Sequence, residues 1–321
     1  MLVCEEQAQI GRLTAYANFR GGPLKVSDSL RVDAFSMHVG DIQDMELDQL
    51  HALSISVGWP HRAEDWEFLR RTGHGIVALD EIGRVMGSAM WFPHGNGFAT
   101  VGMVITSPRL QTNGTGQWLM ERILNEVAGR QLSLSATRAA RRLYLSLDFK
   151  PEKTVYQCQG TARRGSGVSL QLPERLVRRL SADDLTAASV LDTTAFGVGR
   201  MELVKRLHEL SVGYGLFRGQ ELLAFSLCRP FGRGHVIGPV VASNDSDATA
   251  VVAPHVEDHV GQFLRLDTHM EAGNFASYVS QCGMLVYDTV LTMSFGRRLS
   301  DHAEPATELP TTYALVSQAL G

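Results

Sequence analysis

The sequence predicts an α/β chain built from two copies of one domain in tandem, each a central mixed, mostly antiparallel sheet with flanking helices. Three observations lead there. Alternating and helical hydrophobic periods follow one another over residues 31–160 in the order β-α-α-β-β-β-α-β-α-β. The same order returns about 130–140 residues later, a spacing that means domain duplication rather than a short-period solenoid. In the first copy alone, a β-branched run leads through Ser-Pro into a glycine loop and an amphipathic segment, "VITSPRLQTNGTGQWLMERIL" (104–124).

Residues 1–30 read as an extension, because "FRGGPLKVSDS" is rich in turn formers and no period is sustained. "RVDAFSMHV" reads as a strand. "DIQDMELDQLHALSISVGW" places Met45, Leu47, Leu50 and Leu53 at helical spacing. "HRAEDWEFLRRTG" is a second helix that stops at Gly73. "GIVALD" and "RVMGSAMWFP" flank "EIG" as a hairpin, and "GFATVGMVITSP" is a further strand. The helix "QWLMERILNEVAG", the strand "LSLSA", the helix "RAARRLYLSL" and the strand "KTVYQCQ" complete the first domain, 31–160.

Residues 161–174, in "TARRGSGVSLQLPER", are polar with glycines and read as a linker. The second domain, 175–298, parallels the first. "GYGLFRGQELLAFSLCRPFG" answers "GIVALDEIGRVMGSAMWFPHG", "GPVVAS" answers "GMVITS", and "LRLDT" answers "LSLSA". After "GPVVAS" comes "NDSDATAVV", with no glycine loop. The tail, 299–321, is apolar enough to dock on the second domain.

Composition narrows the function classes. Hydrophobic residues make up 44% and charged residues 20%, as in soluble globular proteins. A net charge of −4 gives no basic field for nucleic acid. No apolar run has the roughly 18 residues of a membrane helix, and "MLVCEEQAQIGRL" is not a signal peptide. The four cysteines are scattered without a CxxC pair, which argues against a metal site or a disulfide framework and fits a reducing cytoplasm.

A strand, a glycine loop and a helix start make an anion seat. Successive backbone N–H groups and the helix dipole face the ligand, and glycine lets oxygens approach the backbone. The loop runs Gln111, Thr112, Asn113, Gly114, Thr115, Gly116 and on into Gln117. A nucleotide-binding module would carry such a loop after its first strand and end it in Lys-Ser/Thr, and this one does neither.

These residues resemble the GNAT superfamily of N-acetyltransferases. Its signature, Arg/Gln-x-x-Gly-x-Gly/Ala, reads here Gln111-Thr-Asn-Gly114-Thr-Gly116, preceded by Pro108. A second family pattern, Asn-x-x-Ala-x-x-Leu-Tyr-x-x-Leu-Gly-Phe, is matched in register by Ala140, Leu143, Tyr144, Leu147 and Phe149. Thr137 and Asp148 depart from it. As a whole the chain looks like tandem bacterial members, its second half a degenerate copy.

The resemblance implies acetyl-CoA as cosubstrate and no metal. Gln111 to Gln117 would hold its pyrophosphate, and Val104, Ile105 and Thr106 would pair with the pantetheine amides. A backbone N–H near Ile105 would polarise the acetyl oxygen. Tyr144 would be the general acid for the leaving thiolate. "GMVITS" offers no carboxylate as general base. His61, Glu64, Asp65 and His94 are candidates of types more often simply solvated. The second domain would close over the acceptor side and shape a pocket for a small primary amine. Acetylation of a protein lysine or N-terminus, and a non-catalytic acyl-CoA-binding regulator, are the alternatives.

Overall fold

The computed structural model describes residues 27–32, 35–111, 114–165, 174–296 and 309–321. Most of the N-terminal extension, most of the linker and the first part of the tail lie outside the described residues, as do Thr112 and Asn113. Each half follows one plan. The first runs β2 (Phe35–Asp41), α1 (Leu47–Ser56), α2 (Ala63–Thr72), β3 (His74–Leu79), β4 (Val85–His94), β5 (Phe98–Thr106), α3 (Thr115–Glu126), β6 (Gln131–Ala136), α4 (Arg141–Ser146) and β7 (Lys150–Thr161), with β1 (Ser29–Val32) before it. The second runs β8 (Arg175–Arg179), α5 (Leu185–Phe196), α6 (Met201–Leu210), β9 (Val212–Arg218), β10 (Glu221–Phe231), β11 (Gly234–Ala242), α7 (Asp245–Asp258), β12 (Phe263–Thr268), α8 (Asn274–Gln281) and β13 (Leu285–Phe295), with β14 (Thr311–Ala314) after it. The repeated element order is thus realised. No described helix is long and apolar enough to cross a membrane.

By compactness the chain divides into residues 1–132 and 133–321. The sequence places the boundary at the 161–174 linker instead. The difference comes from β7, which belongs to the first copy in sequence. It pairs antiparallel with β12 on one edge (Leu266↔Cys158) and with β13 on the other (Val290↔Val155). Periodicity identifies a strand but not its partner.

In the first unit, β1 to β5 form an antiparallel sheet in sequence order. Val32 pairs with Phe35, so the stretch read as one strand is two. The segment read as one long helix begins instead with a 3-10 turn, Ile42–Asp44, which the Asp41 carboxylate opens by accepting the Gln43 N–H and which the extended backbone of Met45 ends before α1 starts. Leu50, Leu53 and Trp66 from α1 and α2, and Leu119, Met120 and Ile123 from α3, are buried with Val77, Met90 and Ile105 of the strands. Trp118 Nε1 donates to Ser27 O at 3.0 Å, fastening the first described residues to α3.

In the second unit, the strand order is β6-β13-β7-β12-β11-β10-β9-β8, with β14 on β11. The sheet is mixed because α7 carries the chain from β11 to a parallel β12. The core beneath α7 and α8 gathers Leu216, Ala224, Ile237, Val251, Val252, Leu264, Leu266 and Phe275.

Candidate active site

The first copy's site starts from a break in β-pairing. Ser88 pairs with Ile105 and Met90 with Gly102, so Ala89 alone faces both Met103 and Val104. This is a β-bulge, which bends the strand and leaves backbone outside the regular ladder. Met103 takes a left-handed backbone, φ 51°. Ser88, fully buried, donates its hydroxyl to the Met103 carbonyl at 2.7 Å. Ile105 is buried, while Val104 and Thr106 are half-buried. Sequence reasoning marked Val104–Thr106 but missed the bulge. The trace it leaves in the sequence is a serine inside residues 87–92, a run that is otherwise apolar.

Beyond the bulge the backbone builds the seat. Ser107 N–H closes the strand on Met86 O at 2.8 Å, and Pro108–Leu110 makes a 3-10 turn with Leu110 buried. Gln111 is exposed, its amide on the Thr106 carbonyl at 3.4 Å. Gly114 has φ 80°, and nothing lies within 4 Å of where its Cβ would be. α3 then begins with no side-chain cap and no acidic residue in its first turn. Its first N–H groups are therefore left to an external partner. Thr115 is fully buried and its Oγ1 has no hydrogen-bond partner. Gly116 is half-buried. The exposed Gln117 amide donates along the helix to Glu121 at 2.9 Å, so what it offers the seat is its main chain. An uncapped, open, positively polarised helix start beside an orphan hydroxyl fits a pyrophosphate.

Tyr144 lies in the second unit, on α4, with its ring edge-on to Phe149 at 5.8 Å. It is buried, and burial pushes its phenol above its ordinary pKa, so the hydroxyl stays protonated at neutral pH. Phe149 N–H returns to the Tyr144 carbonyl at 3.0 Å and Asp148 N–H to Leu145 O at 3.2 Å. Asp148 itself has φ 65°. The helix thus ends in a Schellman motif. Asp148, where the family pattern has glycine, takes the left-handed position that aspartate tolerates better than most side chains.

The base candidates divide. Asp65 is buried in a capping box, bound to the Arg62 backbone at 2.8 Å and its guanidinium at 2.9 Å. Glu64 is exposed. His61 sits between aromatic rings, 5.7 Å from Trp59 and 6.4 Å from Trp66, and its carbonyl takes a bond with His51 Nδ1 at 2.8 Å. Trp66 is core, with Nε1 on Ser54 Oγ. His94 is buried and stacks on Phe98 at 6.0 Å.

The second copy has no such seat. α7 starts at Asn244, whose side chain caps the Asp247 N–H at 3.0 Å, and its first turn carries Asp245 and Asp247. Asp247 is paired with Arg175 at 2.7 Å. A capped, acidic helix start repels phosphate.

Two family models, each described as an acetyltransferase (GNAT) domain, match residues 71–151 and 188–305. No curated protein sequence matches the chain. Among solved structures, a candidate acetyltransferase from Pyrococcus horikoshii superposes with a TM-score of 0.70 at 15% identity, covering 92% of this chain and 99% of that one. A tandem GNAT protein from the clavulanic acid biosynthesis pathway gives 0.57 at 12% identity, over 81% of this chain and 98% of that one. A GCN5-related N-acetyltransferase from Sphaerobacter thermophilus gives 0.56 at 14%, over 82% and 96%. At these identities the structural likeness is one of fold. With both halves matched by family models, the chain belongs to the GNAT acetyltransferase family and carries two of its domains in tandem.

Proposed function

We propose that the chain is an acetyl-CoA-dependent N-acetyltransferase that moves the acetyl group to a primary amine of a small molecule by direct transfer in a ternary complex. The observation that carries this reading is the uncapped α3 start, with Gly114 in the left-handed region and Thr115 Oγ1 buried without a partner. Acetyl-CoA, when bound, supplies an activated thioester.

The chain's own residues would do the rest. Backbone N–H groups from Gly114 to Gln117 and the Thr115 hydroxyl hold the pyrophosphate. Thr112 and Asn113 would join them, and the Gln111 amide donates to the Thr106 carbonyl beside the seat. Val104, Ile105 and Thr106 offer main-chain groups to the pantetheine amides, as a strand offers them to a neighbour. A backbone N–H near Ile105, beside the bulge, stabilises the carbonyl oxygen where negative charge develops. Tyr144 keeps a proton on its phenol oxygen for the departing sulfur.

A net charge of −4 suits a small cationic amine, and neither nucleic acid nor a membrane is needed as partner. Cys158, Cys228 and Cys282 are buried free thiols. Burial pushes the Cys158 thiol up to about 11, which suits unreactive cysteines in a reducing cytoplasm.

Isothermal titration of acetyl-CoA into wild type and Gly114→Trp tests the reading. Binding in wild type that disappears in the variant supports it. Absence of binding to folded wild type overturns it. Free-thiol release with a panel of small amines and lysine peptides then separates small-molecule from protein acetylation. Binding without turnover of any acceptor would favour a regulator.

A further inference from the structure

The second copy keeps the bulge of the first and fills the place beside it. Ser226 pairs with Val240 and Cys228 with Ile237, with the register shift between them. That is the pattern of Ser88 with Ile105 and Met90 with Gly102. Val240 and Val241 are therefore the counterparts of Ile105 and Thr106. β11 and the parallel β12 pair only at His235↔Leu264 and Val236↔Arg265. Beyond those residues β14 pairs with β11, Ala314 against Val240 and Thr312 against Val241. On its other side Leu315 N–H donates to Asp267 O at 2.8 Å, and the Thr268 hydroxyl donates to Tyr313 O at 2.5 Å. One extended segment thus bridges the gap where the two strands part.

The segment is clamped by buried charges. Arg200, fully buried and bidentate to Asp192, donates to the carbonyls of Leu320 and Gly321 at 3.1 and 3.0 Å. Arg229 donates to Val316 O at 3.2 Å, and Tyr313 OH donates to Asp245 at 3.0 Å, at the capped start of α7. Tyr313, Ala314, Leu315 and Val316 are all buried. A Cβ on Gly238 would overlap the Leu315 carbonyl, so the glycine is what lets the segment lie this close.

We propose that Thr311–Val316 is the second copy's resident ligand: a strand of the chain itself, seated on the counterparts of the residues that take the pantetheine arm in the first copy, which leaves the second copy no place for an acyl-CoA. The comparison with pantetheine rests on the function proposed above, whereas the seating of the segment does not. A peptide and a pantetheine arm both present amide N–H and carbonyl groups along an extended chain, so an open strand edge accepts either. A tethered segment meets the cleft at an effective concentration on the order of millimolar. As a ligand it leaves by local opening, with the sheet around it intact.

Hydrogen exchange on the full chain tests this. The amides of 311–316 are expected to exchange at least about ten-fold faster than those of β10 and β11, through an opening that spares both strands. A common rate set by global unfolding overturns the proposal. Gly238→Ala, which sets a methyl against Leu315 O, is expected to speed exchange at 311–316 by about ten-fold more while β9–β12 stay protected. Loss of protection across β9–β12 in that variant overturns the proposal too, since the segment is then part of the fold. Native mass spectrometry with coenzyme A is expected to count one site, and two sites overturn the proposal. No bound coenzyme A sinks the acetyl-CoA reading instead, and the exchange rates then decide the seating of the segment.

Discussion

Ser88 gives its hydroxyl hydrogen to the carbonyl of Met103 across 2.7 Å, tying β4 to the bulge in β5. Met103 holds a left-handed backbone there, which costs an L-residue about 1–2 kcal/mol. The buried bond is the compensation. Ser88→Ala removes that buried bond and is expected to lower stability by about 1 kcal/mol. Urea unfolding checks it through a lower midpoint at unchanged slope, and titration should find acetyl-CoA bound more weakly.

At Gly114 the backbone, not packing, sets the cost of a side chain. The space around its Cβ is open, and φ is 80°. Gly114→Ala is expected to cost about 1–2 kcal/mol from the left-handed backbone alone, and Gly114→Asn less. Equal losses for alanine and asparagine in denaturant unfolding would contradict this account.

Tyr144→Phe keeps the ring against Phe149 and removes only the phenol proton. The expected outcome is a kcat lower by about 100-fold or more with little change in KM for acetyl-CoA. Because burial raises the phenol pKa, wild-type activity should show no alkaline limb from this group near neutrality. A steady-state pH profile of both proteins reads both points.

His255 makes the second unit acid-sensitive. Its Nε2 lies 2.9 Å from Ser226 Oγ, and the Ser226 hydroxyl donates to Val251 O. Nε2–H is then the donor, and Nδ1 is left buried without a hydrogen-bond partner. Burial, with His259 beside it, pushes the imidazole down to about 3. The folded value lies below the unfolded one of about 6.5, so the unfolded chain binds the proton first. The contribution is whole above pH 6.5 and falls by about 1.4 kcal/mol per unit as pH drops toward 3. Unfolding midpoints from pH 7 to 4 should show that slope, and His255→Gln should flatten it.

β7 has second-copy strands on both edges, Cys158 meeting Leu266 on one side and Val286 on the other. A chain stopped at residue 165 lacks both neighbours and exposes two bare strand edges, so it is expected to aggregate. Size-exclusion chromatography of that fragment, alone and co-expressed with the remainder, checks this. A well-behaved monomer would show that the pairing is dispensable.

The sequence by itself determined the element types, the duplication and the glycine loop. These are written locally: periodicity in the strands and helices, Gly114 at a backbone position that favours glycine, and Asn244 with its acids where the second loop is missing. It also marked Tyr144, through the register of its neighbours rather than any property of tyrosine. Tertiary structure decided what depends on partners distant along the chain. The bulge at Met103 exists only in the register between two strands. β7 takes its neighbours from the other copy, which moves the compact boundary from the linker to residue 132. The tail, apolar enough to be read as docked, has its place set by Arg200, Arg229 and Asp267, residues from about 50 to 120 positions away, and no local pattern records a pairing that long-range hydrogen bonds choose.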